Sequence, residues 1–163
     1  FFKQKTAYEI PKRDWSSNVC SSDLAMFAAW QAKEMNGVGL MDEASSLVWT
    51  ELMSTDVARA RDFYVKLIGW TPEILEMGPM QYTVLKAGER RAGGMMQMTP
   101  DMAGVPSHWQ PYFGVDDCDE FVKKATALSA KTLVPPSDVP GVGRFSVLLD
   151  PQGAGFSVIK FKR

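Results

Sequence analysis

A single histidine, His108, is all the imidazole available in 163 residues, and two cysteines, Cys20 and Cys118, are all the thiol. Soluble metal centres lean on imidazole, so a His-rich site is excluded at the outset. Two cysteines also rule out a disulfide framework, which leaves a reducing cytoplasm as the expected compartment. An excess of positive charge is equally missing: 18 lysines and arginines stand against 19 acids, for a net charge of -1. Nucleic acid and anionic lipid surfaces need a cationic footprint, so no nucleic acid and no membrane is expected as a partner. No apolar run approaches the roughly 20 residues that span a bilayer. The short run near the start, Leu24 to Trp30, is brief for the apolar core of a secretory signal. What is present is the composition of a globular protein, 45% hydrophobic and 23% charged, at a length that buries one good core with residues to spare.

The surplus sits at the start. Residues 1–24 show no sustained period, are broken by Pro11 and a serine cluster, and resemble the translated read-through of a sequencing adapter. They are expected to be a non-native leader, which removes Cys20 from any chemical argument. The next hexamer, Ala25-Met26-Phe27-Ala28-Ala29-Trp30, echoes Ala154-Gly155-Phe156-Ser157-Val158-Ile159 near the other end. Self-similarity of this kind points to a repeated module. Residues 25–45 are then the last strand of a truncated preceding domain plus a linker; the alternative is coincidence between two apolar hexamers.

From Ser46 onward the signals are regular. Leu47 to Leu52 is β-branched and aromatic and reads as a strand. Ser54-Thr55-Asp56 offers an N-cap, Val57, Ala60, Phe63, Tyr64 and Leu67 fall on one helical face, and Gly69 supplies the stop. Three strands follow, near Glu73 to Met77, Gln81 to Lys86 and Ala92 to Met98. The pattern then recurs: a strand from Trp109 to Val115, a capping box at Asp117 to Glu120, a helix, and strands near Lys131 to Val134, Arg144 to Leu149 and Gly155 to Phe161. Asp150-Pro151-Gln152-Gly153 joins the last two as a type I turn, and Pro135-Pro136 through Pro140-Gly141 reads as a rigid loop. Two βαβββ modules make an α+β domain over residues 46–163, with an open, curved, barrel-like sheet of eight strands and one concave surface.

These residues carry a resemblance. Thr55 to Tyr64 with Leu67-Ile68-Gly69-Trp70, then Val115-Asp116-Asp117-Cys118-Asp119, then Asp150-Pro151-Gln152-Gly153 before the last strand, resemble the vicinal oxygen chelate superfamily of glyoxalase, bleomycin-resistance and extradiol dioxygenase proteins. Trp49 to Leu52, Ala92 to Met96, His108-Trp109 and Val134 to Phe145 narrow it to bacterial tandem glyoxalase-like proteins, of which this would be the C-terminal domain. The resemblance implies a divalent ion on the concave face, held by His, Glu or Gln from the first and last strands of each module. Carried onto this chain, those slots fall at Trp49, at Gln110, at Ser157 and somewhere in Met95 to Met98. Trp, Gln and Ser are poor ligands for hard cations, so no cofactor is expected and a divalent metal is disfavoured.

Strand alternation still outlines a cavity. If Trp49, Gln110 and Ser157 face inward, so do Glu51, His108, Tyr112, Gly155 and Ile159. Glu51 and His108 are the candidate catalytic residues, and Trp49, Glu51, Gln110, Tyr112, Ser157 and Arg144 the candidate ligand-binding set. Glu51 can serve as a general base or as an anchor for a cationic or hydroxylated ligand. Equally, it can be a structural acid satisfied by a backbone group or by Arg144. His108, at a strand start behind Pro106, reads first as an exposed histidine. Cys118 sits among acids and reads as an ordinary thiol. The expected function is metal-independent binding of a small apolar or aromatic molecule. The alternatives are a metal-dependent lyase, dioxygenase or hydroxylase-like enzyme, or the non-catalytic half of a tandem protein that self-associates through the surface of its missing domain.

Overall fold

The computed structural model describes residues 25–27, 34, 39–78 and 80–162. The leader, and residues 28–33 and 35–38 of the expected strand and linker, lie outside the described residues. Strand β1 (Leu47–Ser54) is followed by α1 (Val57–Ile68) and by β2 (Thr71–Met77), β3 (Met80–Ala87) and β4 (Arg90–Gln97). A short 3-10 turn at Pro100–Met102 leads to β5 (His108–Gly114), α2 (Cys118–Ala127), β6 (Lys131–Val139), β7 (Gly143–Leu149) and β8 (Gly155–Phe161). This is βαβββ twice.

All eight strands form one sheet in the order β2-β3-β4-β1-β5-β8-β7-β6. The modules join through an antiparallel β1–β5 seam, and each first strand runs parallel to its own module's last, β1 beside β4 and β5 beside β8. The outer strands β2 and β6 do not pair with each other, so the sheet stays open.

Both helices start and stop on local chemistry. The Asp56 carboxylate accepts from the Arg59 N–H at 2.9 Å, and Gly69, at a φ of 80°, returns its N–H to the Val65 carbonyl. Asp117 caps α2 in the same way, accepting from the Glu120 N–H. The expected capping box is only half made, because the Glu120 side chain turns to Lys123. Each helix covers its own module. Tyr64 of α1 packs with Leu52, Leu85 and Met95, while Cys118 and Ala125 of α2 pack with Leu148 and Val158. Leu52 pairs with Trp109, and Phe113 with Val158, so these side chains share one face and both helices lie on it. Ala25–Phe27, outside any strand, also reaches this side, where Phe27 meets Phe63 and Tyr64 edge-on.

One boundary differs from the sequence reading. Pro135 and Pro136 belong to β6, which continues to Val139 instead of breaking into a loop. Proline is tolerated because β6 is an edge strand, and its register against β7 slips between Val134 and Ser137, where no ladder bond is asked of either residue. Among the described residues, no helix is long and apolar enough to cross a membrane.

Candidate functional site

The site lies on the helix-free face. Leu52 and Trp109 turn toward α1, so their neighbours Glu51, Met53, His108 and Gln110 turn the other way. On β8, Val158 packs under α2, which sends Ser157 and Ile159 to the helix-free side. The β1–β5 register sets Trp49 opposite Tyr112 and Glu51 opposite Gln110, and β5 sets Tyr112 beside Ser157. Five of the expected residues, Trp49, Glu51, Gln110, Tyr112 and Ser157, therefore meet at the seam between modules.

Glu51 is the centre of the group, with 7% of its surface exposed. Tyr82 donates to Oε1 at 2.7 Å and Tyr112 to Oε2 at 2.8 Å. The Trp49 indole N–H donates in turn to the Tyr82 hydroxyl at 2.9 Å. Beside this chain, Gln110 Nε2 donates to Ser157 Oγ at 3.1 Å. Burial pushes the Glu51 carboxyl above its ordinary value, with the two phenol hydrogen bonds pulling back. Both phenols are driven upward, first by burial and then by the negative charge of Glu51, and so remain O–H donors.

Tyr82 and Gly94 are the members that sequence reasoning missed. The two modules superpose slot by slot: Trp49 stands for Gln110 and Glu51 for Tyr112, and Gly94, paired with Glu51 in parallel, stands for Ser157. The fourth slot is thus Gly94, which corrects the expected Met95 to Met98. Met95 points to the helix-side core, fully buried with Tyr64. A Cβ at Gly94 would lie 1.9 Å from the Tyr82 hydroxyl. The phenol of β3 has moved into the space of the missing side chain and bonds Glu51 from there. A glycine inside a strand is the signal that could have found it, since it marks a close approach.

The remaining expected residues lie apart. Arg144 shares the helix side with Leu148 and Ser146, and its guanidinium forks onto Asp119 of α2 at 2.7 and 3.0 Å and reaches Asp138 at 3.1 Å. It is therefore neither Glu51's partner nor a member of this group; strand parity places it on the opposite face. Arg144 instead lines an open groove of about 990 Å³ at the strand ends, with Asp42, Glu43, Asp138, Ile159 and Phe161, and none of the Glu51 network lines that groove. His108 sits opposite Met53 at the start of β5, its Nδ1 2.9 Å from the Pro106 carbonyl. That carbonyl can only accept, so Nδ1 carries the proton.

The donor set does not suit a divalent cation. The four slots hold Trp49, Gly94, Gln110 and Ser157; the indole N–H is a donor only, Gln110 and Ser157 offer no more than a neutral amide oxygen and a hydroxyl, and the glycine has nothing to offer. Glu51 is the one anionic ligand here, and each of its oxygens already accepts a phenol. Among the described residues, no three His, Cys, Asp or Glu side chains gather.

An open eight-stranded sheet built from two βαβββ modules, helices on one face and a polar cluster across the central seam on the other, defines the vicinal oxygen chelate class of domain. The chain belongs to the Glyoxalase/Bleomycin resistance protein/Dioxygenase superfamily, whose profile matches residues 46–158. It is 41% identical over 155 residues to the glyoxylase-like protein CFP32 of Mycobacterium tuberculosis, covering 94% of this chain and 59% of that protein. It is 34% identical over 138 residues to the anthracycline biosynthesis protein DnrV of Streptomyces peucetius, covering 85% of this chain and 50% of DnrV. The chain thus spans between 50% and 59% of the length of these relatives. The same fold occurs in a mutant of 4-hydroxymandelate synthase from Streptomyces coelicolor, with 21% identity and a TM-score of 0.55 over 74% of this chain and 39% of that one.

Proposed function

We propose that this domain binds a small apolar or aromatic molecule on its concave face without a metal ion. The observation that carries the reading is the buried Glu51 carboxylate, tied by two phenols and lying opposite Gly94 and Gln110, two of the slots where a metal-dependent relative would present ligands. Trp49, Tyr82 and Tyr112 are each only partly buried and offer aromatic surface around that acid. One relative is named for anthracycline biosynthesis, and an anthracycline is a fused aromatic molecule, which supports this ligand class.

The test is calorimetric titration of naphthol into protein stripped with a chelator, together with metal analysis of the untreated protein. Saturable binding that survives chelation and is lost in Trp49→Ala is expected. Stoichiometric metal that disappears in Glu51→Ala would overturn the reading. A second reading is favoured by the relatives' greater length: in a longer chain, this half lends binding surface to a reaction whose remaining groups lie elsewhere. Adding the other half and watching for turnover of the bound molecule distinguishes the two.

A further inference from the structure

We propose that the ligand of this face carries a protonated amine, which the Glu51 carboxylate receives. The inference rests on the small-molecule reading above and narrows its ligand class.

A hydrogen-bond inventory leads to it. Nearly all the donors around Glu51 are already committed: Tyr82 and Tyr112 to the carboxylate, the Trp49 N–H to Tyr82, and one N–H of the Gln110 amide to Ser157. Ser157 itself lies against the Tyr112 phenol. What is left is mostly acceptor capacity. Each carboxylate oxygen can take a second hydrogen bond, and the Gln110 carbonyl adds another. A ligand offering carbonyl or carboxylate oxygens finds among these groups only the second N–H of the buried Gln110 amide, and an anionic one also meets the like charge of Glu51. A ligand offering N–H groups finds several acceptors together.

The charge balance points the same way. Among the described residues, no lysine, arginine or histidine forms an ion pair with Glu51. Lys86, farther along β3, is paired with Glu73 of β2. Arg144 is on the opposite face, held by Asp119 and Asp138. The proton on His108 Nδ1 goes to Pro106. A buried carboxylate that lacks a counter-ion gains more from an incoming cation than an exposed one does. Three aromatic side chains in one hydrogen-bonded chain with that acid add the π surface that ammonium groups favour.

Three probes of one shape test this: naphthylethylamine, naphthylethanol and naphthylacetate, titrated calorimetrically at mildly alkaline pH, which favours the charged form of the Glu51 carboxyl while an alkyl amine is still protonated. The amine is expected to bind at least about tenfold more tightly than the alcohol, with the acetate weakest. Glu51→Gln, checked for folding by circular dichroism, is expected to erase that preference and leave the alcohol's affinity in place. Equal or weaker binding of the amine in the unmodified protein overturns the charge preference and leaves the small-molecule reading standing. Failure of all three probes overturns both. A preference that persists in Glu51→Gln removes Glu51 from the role.

Discussion

Glu51 carries a stability consequence of its own. In the unfolded chain its carboxyl titrates near 4.5, and burial raises that value in the folded state. Below the unfolded value both states hold the proton, and the group is neutral to stability. Between the two values the unfolded chain releases its proton while the folded one keeps it, so stability falls as pH rises; above the folded value the loss is complete. Glu51→Gln keeps one acceptor and one donor for the two phenols and removes the charge. Its melting temperature should exceed that of the unmodified protein at alkaline pH, with the gap closing as the pH is lowered toward the unfolded value. Thermal melts of both proteins across the pH range check this, and an equal or lower melting temperature at alkaline pH would mean that the phenols compensate fully for burial. Glu51 was visible in the sequence because period-two spacing ties it to Trp49. Tyr82 was not, because its partnership with Glu51 crosses two strand pairings whose register no local pattern specifies.

At the scale of elements, the β3–β4 contact is shaped around Gly94. Nothing in the backbone requires a glycine there, since its φ is not positive; the Tyr82 hydroxyl does. Gly94→Ala should expel that phenol, break the bonds from Trp49 and to Glu51, and destabilise the fold by roughly 1–3 kcal/mol. In a Tyr82→Ala background the same methyl has room, and the loss should vanish. A double-mutant cycle by urea denaturation measures the difference, and additive effects would refute the contact. The elements were largely legible: apolar spacing and the aspartate caps located both helices, and alternation located the strands. The end of β6 was not legible, because Pro135-Pro136 ordinarily marks a loop and becomes tolerable only once β6 is known to lie at an edge. The position of Arg144 was missed for a similar reason: Asp119 lies 25 residues away in sequence, and the two meet only after α2 has packed on the sheet.

The two modules make one molecule. Trp109 comes from the second module, yet its ring packs with Tyr64 and Trp70 of the first, and its indole N–H donates to the Tyr64 hydroxyl at 3.0 Å. With the β1–β5 seam, this contact couples the halves, so they should unfold in a single transition with coincident near- and far-ultraviolet circular dichroism. Trp109→Ala should lower the stability of the whole by about 3–5 kcal/mol and keep the transition single; a first module melting alone would show that the halves are independent. The open sheet also has two borders, and each contains an imino acid: Pro72 in β2 and Pro135-Pro136 in β6. A neighbouring chain that tries to extend the sheet from either side meets gaps in the row of N–H groups it would copy, so growth into fibrils by strand addition is resisted at both borders.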